Sequence, residues 1–213
     1  MWIDDKKRNS QARERENSVL AEVKVQGIKV KSRVVESEIA LRSAMEELWS
    51  YVGKGTGSKH VVGLDIECTS VDSTNKVSIL KLASASLCLI IRLLNFGKIP
   101  HFLFNFLRLP DVSFVGVGIK ENFVMLERDY GLQCRNMVDL PTLAASVLDD
   151  RRFMGYGLID LAYHVIPLQV IKKPACVFFS DWSGENLAME EIEFATIDAY
   201  ISYKIGNKLL GGL

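Results

Sequence analysis

No stretch of this sequence leaves fewer options than Val61-Val62-Gly63-Leu64-Asp65-Ile66-Glu67. It opens as an apolar run of the kind buried in a sheet, and it closes on two carboxylates two residues apart. In a strand, residues i and i+2 point to one face, so Asp65 and Glu67 share a face while Leu64 and Ile66 share the other. Two like charges this close repel, and near a core each also loses hydration. A bound divalent cation relieves both costs. The plainer reading is a strand whose end emerges into water, where an Asp and a Glu cost little. The rest of the sequence weighs between the two.

The segments around this strand alternate between two periodicities. Glu22 to Val35 alternates about a Gln26-Gly27 turn and predicts a small N-terminal hairpin. Ser37 is placed to cap a helix running to about Tyr51, with Leu41, Met45, Leu48, Trp49 and Val52 on a 3.6-residue period. Further strands are expected at Val77–Ala83, Leu87–Leu93, Ser113–Val117 and Arg135–Asp139. Helices are expected at Phe102–Leu107, Lys120–Tyr130 with Gly131 as C-cap, Pro141–Leu148, Leu158–Val165 and Ala188–Leu209. Strands alternating with helices imply an α/β layer fold. One domain over 21–213 is expected, preceded by a flexible charged arm over 1–20.

Charge and cysteine usage narrow the function classes. Lys plus Arg and Asp plus Glu number 26 each, which argues against a strongly basic nucleic-acid coat and leaves room for a local basic groove. Cys68, Cys88, Cys134 and Cys176 lack metal-ligand spacing and read as reduced thiols of an intracellular protein, in cytoplasm or nucleus. His60, His101 and His164 are scattered, and none pairs with a plausible nucleophile. Met1 to Asn17 has no apolar signal-like core, and the run Leu87 to Leu94 is short and broken by Arg92, so no membrane partner is expected. Lys6-Lys7-Arg8 reads as a solvated arm before it reads as a nuclear address.

Three motifs in order carry a family resemblance. They are the strand ending Asp65-Ile66-Glu67, then Phe114-Val115-Gly116-Val117-Gly118-Ile119, then Ser180-Asp181-Trp182 followed by Ala195-Thr196-Ile197-Asp198-Ala199-Tyr200. Over roughly Val23 to Leu209 the chain resembles the Werner syndrome-like 3′–5′ exonuclease domains, of the DEDDy type in the DnaQ-like, RNase H-like superfamily. A lone DxE is weak, and three motifs at the right spacing are strong. The resemblance implies an RNase H-like mixed five-stranded sheet with helices on both faces. It implies two-metal hydrolysis of phosphodiesters from 3′ ends, with Mg²⁺ or Mn²⁺ held by carboxylates and a tyrosine positioning the attacking water. Asp65, Glu67 and Asp198 match the metal-binding carboxylates. Single-stranded or recessed-end DNA or RNA is the implied partner.

Two of the family's catalytic positions differ here. The second-motif Asp falls on Asn122, which accepts hydrogen bonds but brings no charge. Neighbouring Glu121 is turned away by about 100° on a helix. The third-motif tyrosine falls on Phe194, one turn before Asp198, and Tyr200 and Tyr203 lie off that helix face. Cys68 stands where relatives often have Trp. Lys81 stands where they usually have Gln, and reads as drift, as a phosphate contact, or as a charge that disfavours a metal nearby. Phe102, Phe104 and Phe106 read as core before base-stacking platforms. The expectation is a slow or impaired exonuclease with Asp65, Glu67, Asn122, Phe194 and Asp198 at its site. The alternative is a catalytically inactive nuclease-derived module for binding or assembly. Self-association through the Phe- and Leu-rich segment Leu87–Leu107 is a further expectation.

Overall fold

The computed structural model describes residues 19–52, 60–71, 74–168, 177 and 180–211. All but the last two residues of the expected arm, residues 53–59, which read from sequence as a Gly-, Lys- and Ser-rich loop, and residues 172–173 and Cys176 lie outside the described residues. The strands are β1 (Leu20–Val25), β2 (Ile28–Val35), β3 (His60–Val71), β4 (Thr74–Ser84), β5 (Leu87–Arg92), β6 (Val112–Gly116) and β7 (Met137–Asp139). The helices are α1 (Glu38–Val52), α2 (His101–Leu107), α3 (Ile119–Tyr130), α4 (Leu140–Val147), α5 (Leu158–Val165) and α6 (Met189–Gly211).

The strands form one sheet in the order β1-β2-β5-β4-β3-β6-β7. Within it, β5-β4-β3-β6-β7 is the expected five-stranded mixed sheet: β4 runs antiparallel to β3 and β5, while β6 runs parallel to β3 and β7. The count is seven rather than five because the hairpin does not stand apart. Its strand β2 pairs in parallel with β5, from Lys31↔Leu87 to Val35↔Ile91, and so covers an edge that would otherwise expose unpaired backbone. The hairpin turns at Gln26 and Gly27, both at positive φ (46° and 82°), the twist that suits a two-residue connection.

Alternation along the strands divides the core in two. Val62, Leu64, Ile66, Leu80, Leu82, Leu89 and Ile91 pack with α1, α2 and α3 on one face. Val61, Ile79, Ala83, Cys88 and Ile90 pack with α4, α5 and α6 on the other. Ser37 caps α1, its Oγ accepting from the Ala40 amide at 3.3 Å. The segment Leu87–Leu107 is mostly interior: every residue of β5 is buried, as are Leu93, Leu103, Phe106 and Leu107. Just over half of that segment is thus taken up by the chain's own core. Phe106 packs edge-on to Phe114, and Phe102 and Phe104 join the α1–α3 side of the sheet.

Helix α6 lies closest to the sheet where glycine allows it. A Cβ on Gly63 would meet the Ala199 carbonyl oxygen at 2.1 Å and the Tyr203 amide nitrogen at 2.5 Å. A Cβ on Gly206 would meet Val115 at 2.6 Å. Both distances are below contact, so the two glycines set how near α6 approaches β3 and β6. A buried hydroxyl pair, Ser32 Oγ to Thr196 Oγ1 at 2.7 Å, ties the same helix to β2.

Candidate active site

The face of β3 that carries Gly63 also carries Asp65 and Glu67, so both carboxylates project beneath α6. Asp198 projects toward them from α6, one residue before the Ala199 carbonyl that rests on Gly63. One oxygen from each of Asp65, Glu67 and Asp198 lies within 4.8 Å of the others. Just past Glu67 the β3–β4 pairing shifts, with Glu67↔Ile79 followed by Cys68↔Val77. Ser78 is the extra residue of this bulge, and its hydroxyl donates to the Glu67 carbonyl at 3.1 Å. A bulge at such a place aims the side chains that flank it.

Lys81 stands directly across from Asp65 in the β3–β4 register, on the same face. Its side chain is fully buried. Its Nζ lies 2.5 Å from Asp65 Oδ2, 2.8 Å from Glu67 Oε1 and 3.5 Å from Asp198 Oδ2. The carboxylates keep side-chain exposures of 29, 16 and 23 %. Burial alone would pull the lysine pKa down. The attraction of Asp65, Glu67 and Asp198 outweighs that and holds the ammonium well above the usual lysine value.

The three carboxylates are the hard oxygen donors a divalent cation takes, and in that respect the cluster is a metal-type site. The ammonium nevertheless already lies against an oxygen of each of these carboxylates. Two cations about 4 Å apart, one of them divalent, oppose each other by roughly 8 kcal/mol at an effective dielectric near 20. A metal and Lys81 therefore do not fit together in this arrangement. The signal in the sequence was a lysine inside the otherwise apolar run Ile79-Leu80-Lys81-Leu82, since a buried cation demands counter-charges.

The other two expected site residues are not drawn into this cluster by any described contact. Asn122 sits in the first turn of α3, which begins beyond the carboxyl end of β6. Its amide Nδ2 is buried and has no hydrogen-bond partner. Glu121 is exposed and lines a separate cleft with Gly118, Asp139 and Tyr156, as its helical position predicts. Phe194 is 8 % exposed and packs into the core one turn before Asp198. Tyr200 is buried in the core, and Tyr203 packs against the same core. Neither stands in the place of the lost phenol. Trp182 is buried beneath the loop that leads to α6, and Asp181 in that loop accepts from Thr69 Oγ1 at 2.7 Å.

The fold is an α/β domain whose mixed sheet carries a carboxylate cluster where β3 meets the last helix. A family model described as 3′-5′ exonuclease matches residues 33–213, and the chain belongs to that family. Over 98% of its length it is 29% identical to human exonuclease 3′-5′ domain-containing protein 2, and it spans 32% of that protein. The mouse protein of the same name is 32% identical over 71% of this chain, which spans 24% of it. The chain thus spans a third or less of these curated relatives. The crystal structure of an EXD2 exonuclease domain soaked in Mn superposes with a TM-score of 0.50 at 29% identity, covering 84% of this chain and 88% of that one. Escherichia coli RNase D shares the fold, with a TM-score of 0.68 at 17% identity over 83% of this chain and 44% of that one. No helix among the described residues is long and apolar enough to cross a membrane.

Proposed function

We propose that the chain is a 3′–5′ exonuclease-family domain that receives the 3′ end of single-stranded or recessed-end DNA or RNA at the Asp65–Glu67–Asp198 cluster, with slow or impaired hydrolysis. The observation that carries this reading is the convergence of those three carboxylates, with Asn122 and Phe194 standing where the family resemblance implies a carboxylate and a phenol. Loss of an acid–base or positioning group costs about 10²–10⁴ in rate. Such losses do not simply multiply when the groups act as a unit. Asp65, Glu67 and Asp198 are the donors for the Mg²⁺ or Mn²⁺ that the family chemistry calls for, and the ammonium among them supports weak or absent uptake.

A second reading is favoured by Lys81 itself. Three carboxylates against one ammonium leave a formal charge of −2, which repels a scissile phosphate. That supports a catalytically inactive module that binds nucleic acid or protein, or assembles with itself, elsewhere on its surface. The free thiols of Cys68, Cys88 and Cys134 support an intracellular setting, in cytoplasm or nucleus. A nuclease assay with Mg²⁺ and with Mn²⁺, on 3′-labelled single-stranded and recessed-end DNA and RNA, separates the readings. Slow removal of 3′ nucleotides that disappears in Asp65→Ala/Glu67→Ala supports the first. Activity that survives in that double variant is a contaminant. No cleavage, with retained oligonucleotide binding by anisotropy, supports the second.

A further inference from the structure

We infer that Lys81 is the resident cation of the Asp65–Glu67–Asp198 cluster, taking the place of a divalent metal ion, and that removing it opens a metal site the natural chain lacks. The inference rests on reading that cluster as the metal-holding site of the family.

The geometry has three parts. The ammonium is within 2.5 to 3.5 Å of an oxygen from every member of the cluster, so each carboxylate already has a cationic partner. The lysine is fully buried and enters from the centre of β4, between Leu80 and Leu82 on the opposite face, so its ammonium lies beneath the partly exposed carboxylates. Its place is set by the antiparallel register Asp65↔Lys81 and not by a flexible loop. A charge brought in this way is part of the folded sheet. It offsets the repulsion among three converging carboxylates, as a metal ion does elsewhere, and it is present whatever the metal content of the medium. The cluster therefore holds its shape without metal, and a divalent ion meets a like charge already in place.

The test measures Mn²⁺ binding by electron paramagnetic resonance, with circular dichroism and thermal unfolding as second readouts. The variants are Asp198→Asn, Lys81→Gln and Lys81→Met, the last two each also combined with Asp198→Asn. The natural chain should show no saturable Mn²⁺ site, and millimolar Mn²⁺ should leave its unfolding midpoint unmoved. Lys81→Gln should bind Mn²⁺ at least about tenfold tighter than the natural chain, the equivalent of about 1.4 kcal/mol. Mn²⁺ should raise its unfolding midpoint, and Asp198→Asn should remove both effects. If the Lys81 variants do not fold alone, Mn²⁺ should restore their circular dichroism, because the cluster then awaits a cation. Failure of Mn²⁺ to restore them overturns the inference. So does a natural chain that binds Mn²⁺ within threefold of Lys81→Gln at a site lost in Asp198→Asn. Nuclease activity is not a readout here, so an absence of hydrolysis in every variant sinks the exonuclease reading and leaves this one standing.

Discussion

Phe194 and Asn122 are each a few atoms from the groups the family uses, and both are held in ordered surroundings. Phe194→Tyr adds a hydroxyl to a side chain packed one turn before Asp198. Asn122→Asp replaces a buried amide whose Nδ2 has no partner, near a helix N-terminus that tolerates negative charge. The double variant should cost about 1–3 kcal/mol of stability, because it places a hydroxyl in the core and a charge where the amide now has no partner. Its gain in hydrolysis should be small while Lys81 holds the carboxylates. Combined with Lys81→Gln, the same two changes should speed 3′-end cleavage of single-stranded oligonucleotides in Mn²⁺ at least about tenfold over the natural chain. Product ladders on a denaturing gel decide this. A triple variant that folds and binds Mn²⁺ without any gain shows that the substrate path is lost as well.

Between elements, two contacts position the site. Gly63 lets the α6 backbone rest on β3, and Gly63→Ala would drive a methyl to 2.1 Å from the Ala199 carbonyl. The clash is with backbone, so the helix must shift, and the cost should be about 3 kcal/mol or more in chemical denaturation. Because Asp198 precedes Ala199, the same change should loosen the cluster. On the opposite face, Glu47 of α1 accepts from Lys31 Nζ at 2.7 Å and from Arg33 Nη1 at 2.8 Å, binding the helix to β2. Burial raises the Glu47 pKa, but hydrogen bonds and charge from Lys31 and Arg33 prevail and hold it below the usual 4.5. A depressed carboxylate stabilises the fold above its unfolded pKa and loses that contribution as pH falls through the folded one. Glu47→Gln should therefore lower stability by up to about 1 kcal/mol near neutral pH, with the difference shrinking below pH about 4.5. Unfolding curves at several pH values check the sign.

Across the whole molecule, Arg92 connects segments that are distant in sequence. It is 3 % exposed at the end of β5. Its guanidinium pairs with Glu36 between β2 and α1, donates to the Gly184 carbonyl, and donates to the Glu185 carbonyl at 2.6 Å. The docked hairpin, the central sheet and the loop ahead of α6 thus meet at one buried charge. Arg92→Met should cost about 3–5 kcal/mol, because it strands Glu36 beside the core and frees two carbonyls. Amide hydrogen exchange should rise first between Ser180 and Ala188, and next in β1 and β2. Uniform exchange throughout the domain would show instead that the junction has no local role.

The elements were legible from residues whose preferences are local. Gln26-Gly27, Ser37, Gly131 and Pro141 mark turns, caps and starts through their own backbone chemistry. The pairing of Asp65 with Glu67 on one face follows from strand geometry alone, and Asp198 falls inside the helix expected over Ala188–Leu209. Register and docking are not local. Whether the hairpin stands alone or extends the sheet depends on the free edge of β5. Whether Asn122 or Phe194 touches the carboxylates depends on how α3 and α6 lie on the sheet. Lys81 is the sharpest case: as a residue it is one cation in an apolar strand, with several uses open to it. One step of β4 along β3 would bring a different residue opposite Asp65 and turn the other face of the strand toward it. The observed alignment, Asp65↔Lys81, is selected by the burial of Leu80 and Leu82 on one side and Ile79 and Ala83 on the other. It is that global fit of two cores to one sheet, and no preference of lysine, that sets an ammonium among three carboxylates.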